Sequence, residues 1–474
     1  MISPRRFTRF FACMSTALVF TLQAAAAAHT WHVSGKGDDM ANGTSPATAV
    51  RTLKKAAALV RPGDTVVVGD GVYTDEDSGN DSAVLALTQH GRPDAWTTWK
   101  SAPDARPDIR PLSGWHGIFI TGSYVIIDGL SVTGANDSIT LLDAINDSKI
   151  KEKDGKRYWG SPRFNANGIS IEGRKSPPDR KPHHIIIRNC TISKCPGGGI
   201  SGLETDYLTI EDNKVFENAW FMRYGGSGIT TLNNWAFDDA PGYHIVIQRN
   251  LVWNNKTLVP WEAIGKLSDG NGIILDVTDG KVAGGATNPN ADAAVNPNGT
   301  TTGVDPNAAS LNPLRPEWKG RALIANNVSA YNGGSGIHTF RTKHVDIINN
   351  TTYWNGSIVG YQELFANRSE DVVILNNVIV PRPGGKVTSD NRNQSIRWDY
   401  NLYPTEQKVL RGERDIVANP QFVKIAADLR EADFRLQDGS AARDSGTDLL
   451  PQETDLTGKK RPIGPGRDRG AYEQ

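Results

Sequence analysis

The chain has 474 residues, 52 basic and 52 acidic side chains and no net formal charge, with 22% charged and 38% hydrophobic residues. That balance excludes a nucleic-acid partner gripped by a basic face. Past the N-terminal segment, no stretch approaches the roughly 20 apolar residues that a membrane span needs.

Arg5, Arg6 and Arg9, the apolar residues 10–22 and the alanine run 24–28 read as a secretory signal peptide over residues 1–28. Its removal takes three arginines and leaves 49 basic against 52 acidic side chains, a formal charge of −3. The expectation is an exported protein, secreted or periplasmic, that acts as a monomer. Cys13 leaves with the signal, so Cys190 and Cys195 are the remaining thiols. One disulfide in an oxidising compartment and two buried thiols are both open readings.

The length past residue 28 would suit two or three domains, but a stacked repeat grows without splitting. Residues 29–110 predict an N-terminal cap and the first coils, with a capping helix over 50–60 and a strand over 65–68. Residues 111–405 carry the repeat. Its copies read IIIRNCTI, LTIEDNKV, IVIQRNLVW, LIANNVSAY, DIINNTTYW and VILNNVIV, with a weaker WDYNLY. Their last asparagines are Asn189, Asn213, Asn250, Asn327, Asn350, Asn377 and Asn401. Four of the six gaps are 23 to 27 residues, one coil each, and the two longer ones mark coils with insertions. Asparagines at one turn of successive coils can bond up and down the stack as a ladder. The regular leucines of a leucine-rich repeat are missing.

A second series starts with glycine: GIFIT from Gly117, GISIE from Gly168, GISGLE from Gly199, GITTL from Gly228, GIILD from Gly272 and GIHTF from Gly336. Each is a further strand. Alternation sends one column outward as Phe119, Ser170, Ser201, Thr230, Ile274 and His338, and the next as Thr121, Glu172, Leu203, Leu232, Asp276 and Phe340. The fold class is therefore all-β, a right-handed parallel β-helix with an N-terminal capping helix. Insertions interrupt it at 142–164, which is lysine-rich, and at 277–318. Residues 406–474 are expected to pack back over the last coils.

The opening VSGKGDDMANGTSPATAVRTLKKAAALVRPGDTVVVGDGVYT, the coils YVIIDGLSV, RNLVWNN and NNTTYWNG and the closing RDRGAYEQ resemble β-helical pectate lyases of the polysaccharide lyase family nine type. The resemblance covers most of the chain after the signal. It implies catalysis with calcium held by an aspartate cluster and a lysine base in a segment matching DGNGIILD. Aligned on Asn271 and Gly272, the lysine position is Ile274, which cannot accept a proton. The paired Asp-Asp-Gly calcium motif is not reproduced either, although Asp269 and Asp276 bracket the same strand and remain the candidate calcium ligands.

Equivalent positions on successive coils lie about 4.8 Å apart, so columns act as sites. The richest polar region joins Asp269 and Asp276, then His338 and Arg341, then Glu363. Asp276 faces outward as a candidate base, nucleophile or ligand. His338, outward beside Arg341, is expected to have a lowered pKa. Arg341 is placed to clamp a uronate carboxylate, and Glu363 to complete an acid–base pair with Asp276. Trp261 is the candidate sugar platform, with Thr230 beside it on the binding face.

These residues point to cleavage of a polysaccharide. β-Elimination of a uronate polymer would use His338 and Arg341, with calcium at Asp269 and Asp276. Lys149, Lys151, Lys153 and Lys156 favour an acidic substrate, and lyase is the leading expectation. Hydrolysis would use Asp276 and Glu363 instead. A non-catalytic glycan-binding or envelope protein is the alternative from another class.

Overall fold

The computed structural model describes residues 28–75, 83–278 and 316–474. The signal segment, apart from its last residue, and most of the second insertion lie outside them. Among the described residues, no helix is long and apolar enough to cross a membrane.

Three parallel sheets wrap one apolar core. The first has eleven strands, from Thr30–Val33 to Gln394–Asp399. The second has nine, from Ala83–Leu87 to Asp390–Asn391, and the third eleven, from Gly71–Thr74 to Ile416–Val417. The glycine series forms the second sheet. Its inward column, Ile118, Ile169, Ile200, Ile229, Ile273, Ile337 and Leu364, is in register and fully buried. Phe119, Ser170, Ser201, Thr230, Ile274, His338 and Phe365 pair in register between those positions, as alternation predicts. Stacked β-branched side chains suit this pleated interior.

The turn from the first to the third sheet carries the asparagine ladder. Asn327 is typical: its N–H and its Nδ2 each lie 3.0 Å from Asn350 Oδ1, and Nδ2 also donates to the Ile247 carbonyl at 2.9 Å. Each buried amide is thereby satisfied where an orphan would cost about 1–3 kcal/mol. The ladder runs Asn213, Asn250, Asn327, Asn350, Asn377 and Asn401. Asn189 is not its first member. Cys190 holds that place, its N–H donating to Asn213 Oδ1 at 2.9 Å, while Asn189 reaches Asp128. Register explains this, because Arg188 pairs with Glu211 and so sets Cys190 opposite Asn213. Both Cys190 and Cys195 are free, buried thiols, and burial pushes each up to about 12.

The capping helix is Leu53–Leu59, shorter than the expected 50–60. Thr52 accepts from the Lys55 N–H and starts it, while Val50 is held as extended chain against Val33. Leu53 and Ala56 close the end of the core. The C-terminal segment covers the third sheet from its middle coils onward, where Leu429, Phe434, Leu436 and Ala471 pack on Phe216, Trp253, Tyr353 and Val378 as a cluster separate from the core.

The first insertion is ordered by a helix, Leu141–Lys149, and a hairpin, Glu152–Lys153 with Lys156–Arg157. Ile139 and Ala144 pack on Phe221 and Val259. Arg223, fully buried, donates to the Ser148 and Ile150 carbonyls at 3.0 and 2.8 Å and pairs with Glu262 at 2.6 Å. This arginine pins the insertion to the loops that rise between the third and second sheets.

Candidate active site

The second-sheet strand Ile273–Asp276 has a carboxylate at each margin. Asp269 stands on the incoming loop at φ +64°. That loop is stacked between its neighbours, since the Gly270 N–H donates to Gly226 O at 2.7 Å and the Gly334 N–H donates to Gly270 O at 2.8 Å. Gly225, at φ +72°, lies against the side chain: a Cβ there would meet Asp269 Oδ2 at 2.5 Å. Burial pushes the Asp269 carboxyl up to about 6, against the opposing Ser268 hydrogen bond. Asp276 ends the strand half-buried, in register between Leu232 and Phe340.

Tyr361 is within electrostatic reach of both carboxyls. Its hydroxyl is 3.4 Å from Ser268 Oγ. Burial, then the charge of Asp269 and more weakly that of Asp276, raise its phenol above the ordinary value, so its hydroxyl feels both. No strand or repeat position marked this tyrosine in the sequence; the signal lay in GYQELF, two residues before the glutamate that was singled out.

His338 belongs to the same face but is not exposed as expected. It is 6% exposed, its ring parallel to Phe365 at 4.6 Å and edge-on to Tyr361 at 6.0 Å. Its pKa is lowered to about 3 by burial, not by Arg341. A base so hard to protonate is a poor proton acceptor for catalysis. Arg341 follows Phe340 at φ +51°, half-buried, its N–H donating to Asn367 O at 2.9 Å.

Glu363 is not part of this face. It is 2% exposed and ends a second ladder that runs Asn218, Asn255, Asn332 and Asn355. Its oxygens accept from the Asn355 N–H at 2.6 Å and from Asn355 Nδ2 at 2.7 Å. Burial pushes this carboxyl up to about 8. The residue sits just before the strand Leu364–Asn367, so strand alternation does not govern it. Trp261 is 8% exposed and offers no open indole face, whereas Thr230 is half-buried on the outward column. Trp159 is 50% exposed, with the Arg157 guanidinium over its ring at 4.1 Å.

Calcium needs about six to eight oxygen ligands. Among the described residues, no three His, Cys, Asp or Glu side chains converge to hold a metal ion, and Asp269 and Asp276 stand at opposite ends of one strand. Those two carboxylates alone fall short of the oxygen ligands that the ion implied by the resemblance needs.

Residues 116–282 match the family of right-handed β-helix regions. A search of curated proteins finds no match. Among solved structures, pectate lyase Pel9A is 15% identical with a TM-score of 0.49, over 95% of this chain and 98% of that one. The complex of XylC with xylose is 11% identical with a TM-score of 0.42, over 93% and 98%. A rhamnogalacturonan lyase is 12% identical with a TM-score of 0.42, over 93% and 96%. The three parallel sheets, their coil-by-coil register and the matched region agree that the chain is a right-handed parallel β-helix protein.

Proposed function

We propose that the chain is an exported enzyme that cleaves glycosidic bonds on the outer face of its second sheet, with Asp269 and Asp276 as the acid–base pair. The observation that carries this reading is the Asp269 carboxyl, poised near 6 beside Tyr361, whose phenol is raised by the charges of both Asp269 and Asp276. Two carboxyls in unlike environments divide the roles of acid and base. Asp269, protonated, gives its proton to the departing glycosidic oxygen; Asp276 attacks the anomeric carbon or activates water there. Glu363, tied into its ladder, takes no part.

A second reading, β-elimination of a uronate polymer, is favoured by one observation. The basic hairpin with Lys151, Lys153, Lys156 and Arg157 stands on the Asp269 side, because the Trp159 carbonyl accepts from the hydroxyl of Tyr224, next to Gly225. Ionised Asp269 would then be the base and Arg341 the carboxylate clamp.

The test is a panel of neutral and uronic polysaccharides assayed for new reducing ends and for absorbance of unsaturated uronate. Reducing ends without that absorbance support hydrolysis, and absorbance moves the assignment to elimination. Silence in both leaves a glycan-binding protein.

A further inference from the structure

Hydrogen bonds across three coils decide which nitrogen of His338 carries the proton. The Ser335 N–H lies 3.0 Å from Asn271 Oδ1, and a backbone N–H only donates, so the amide oxygen is identified by its partner. The Ser335 hydroxyl is 3.0 Å from the same oxygen, which has no hydrogen to give, so the hydroxyl proton points there. On the far side, Asn271 Nδ2 donates to Ser227 Oγ at 3.0 Å. Ser335 Oγ is also 2.7 Å from His338 Nδ1. With its proton committed to Asn271, the hydroxyl accepts here, and Nδ1 must be the N–H. A neutral imidazole then presents Nε2 as a bare lone pair.

The ring is held in place on both sides. Ile274 and Phe365 flank it in register on neighbouring coils, and Tyr361 meets it edge-on. Nε2 has no hydrogen-bond partner among the described residues, and it is not among their sealed polar atoms. An ordered acceptor, aimed by a dedicated chain of three polar side chains and left without a protein donor, is placed to receive one from a ligand. Beside the acid–base pair, the donors of a glycan are its hydroxyl groups.

We propose that His338 is a substrate-binding residue whose Nε2 accepts a hydrogen bond from a sugar hydroxyl, its tautomer set by Ser227, Asn271 and Ser335. The substrate is then a sugar with a free hydroxyl at that position, and a methylated or deoxy analogue is rejected. The contact to sugar rests on the glycan-cleaving reading; the tautomer does not.

Nitrogen-15 NMR of the full chain with labelled histidine, assigned against His338→Phe, reads both. The expected spectrum has a protonated Nδ1 and an unprotonated Nε2 in His338, unchanged from pH 5 to 8. A protonated Nε2, or an imidazolium in that range, overturns the tautomer and with it the acceptor. Galacturonate, xylose and galactose trisaccharides are then added to the Asp269→Asn protein, so that none is consumed. At least one is expected to shift Nε2, and His338→Phe, which keeps the stacking, should weaken its binding about tenfold. If none shifts Nε2 while the tautomer stands, the sugar contact is overturned. If one shifts it but the wild type cleaves nothing, the inference stands and the cleavage reading fails.

Discussion

Replacing Glu363 with glutamine separates the ladder role of this residue from a catalytic one. Burial raises the folded carboxyl from its ordinary 4.5 to about 8. A raised carboxyl pKa favours the folded state most below the unfolded value, where both states hold the proton. Stability is then lost as the pH rises through 4.5 towards 8. At pH 7 the unfolded carboxyl lies about 2.5 units above its pKa while the folded one is still mostly protonated. At roughly 1.4 kcal/mol per unit, the penalty is about 3 kcal/mol. Glutamine carries no such penalty, but its amide faces Asn355 Nδ2 with hydrogens instead of a lone pair, at a cost of about 1–3 kcal/mol at every pH. The variant should therefore be the less stable protein at pH 4.5 and gain about 3 kcal/mol on the wild type by pH 7. Urea unfolding midpoints across that range measure the difference, and catalytic activity should stay within a few-fold. A stability difference that does not move with pH refutes the reasoning.

Hydrolysis should decline above about pH 6, as Asp269 loses the proton that it donates; a pH–rate profile that rises there instead marks Asp269 as a base. Gly225→Ala places a methyl against Asp269 Oδ2 in a left-handed backbone, so activity should fall at least tenfold for about 1 kcal/mol of stability, read by steady-state kinetics and thermal unfolding. Asn327→Ala leaves the buried Asn250 N–H without its acceptor and removes a donor from the Ile247 carbonyl, while Asn250 Nδ2 keeps the Ile210 and Gln248 carbonyls; denaturant unfolding should show a loss of about 2 kcal/mol. Cys190 and Cys195, both buried and pushed up to about 12, should resist a thiol reagent at pH 8 until the protein is unfolded.

The coil stack was legible because its causes are local and recur: an aliphatic strand, a ladder asparagine and a glycine-led strand, coil after coil. Column membership followed from alternation, and Thr230, Ile274 and His338 pair as it requires. What lies over a column did not follow. Alternation sends His338 away from the core, but Phe365 and Tyr361 of the next coil close over it. The second ladder was written in the chain and not read: Asn218, Asn255, Asn332 and Asn355 each stand five residues after a member of the first, and Cys195 keeps that spacing from Cys190. Finding it would have claimed Glu363 for the ladder, since that residue supplies the acceptor oxygens beyond Asn355. Asp269 looked like a turn residue because it is one; its raised pKa comes from stacking between the Gly226 and Gly334 loops, which no single coil displays.

The central claim is that Asp269 and Asp276, and not Glu363, carry out the cleavage. Reducing-end release by Asp269→Asn, Asp276→Asn and Glu363→Gln, measured beside the wild type on one cleaved glycan, tests it most directly. The account expects the first two to lose at least about a hundredfold and the third to keep its activity within a few-fold. An inactive but folded Glu363→Gln protein, or an active Asp269→Asn, contradicts it.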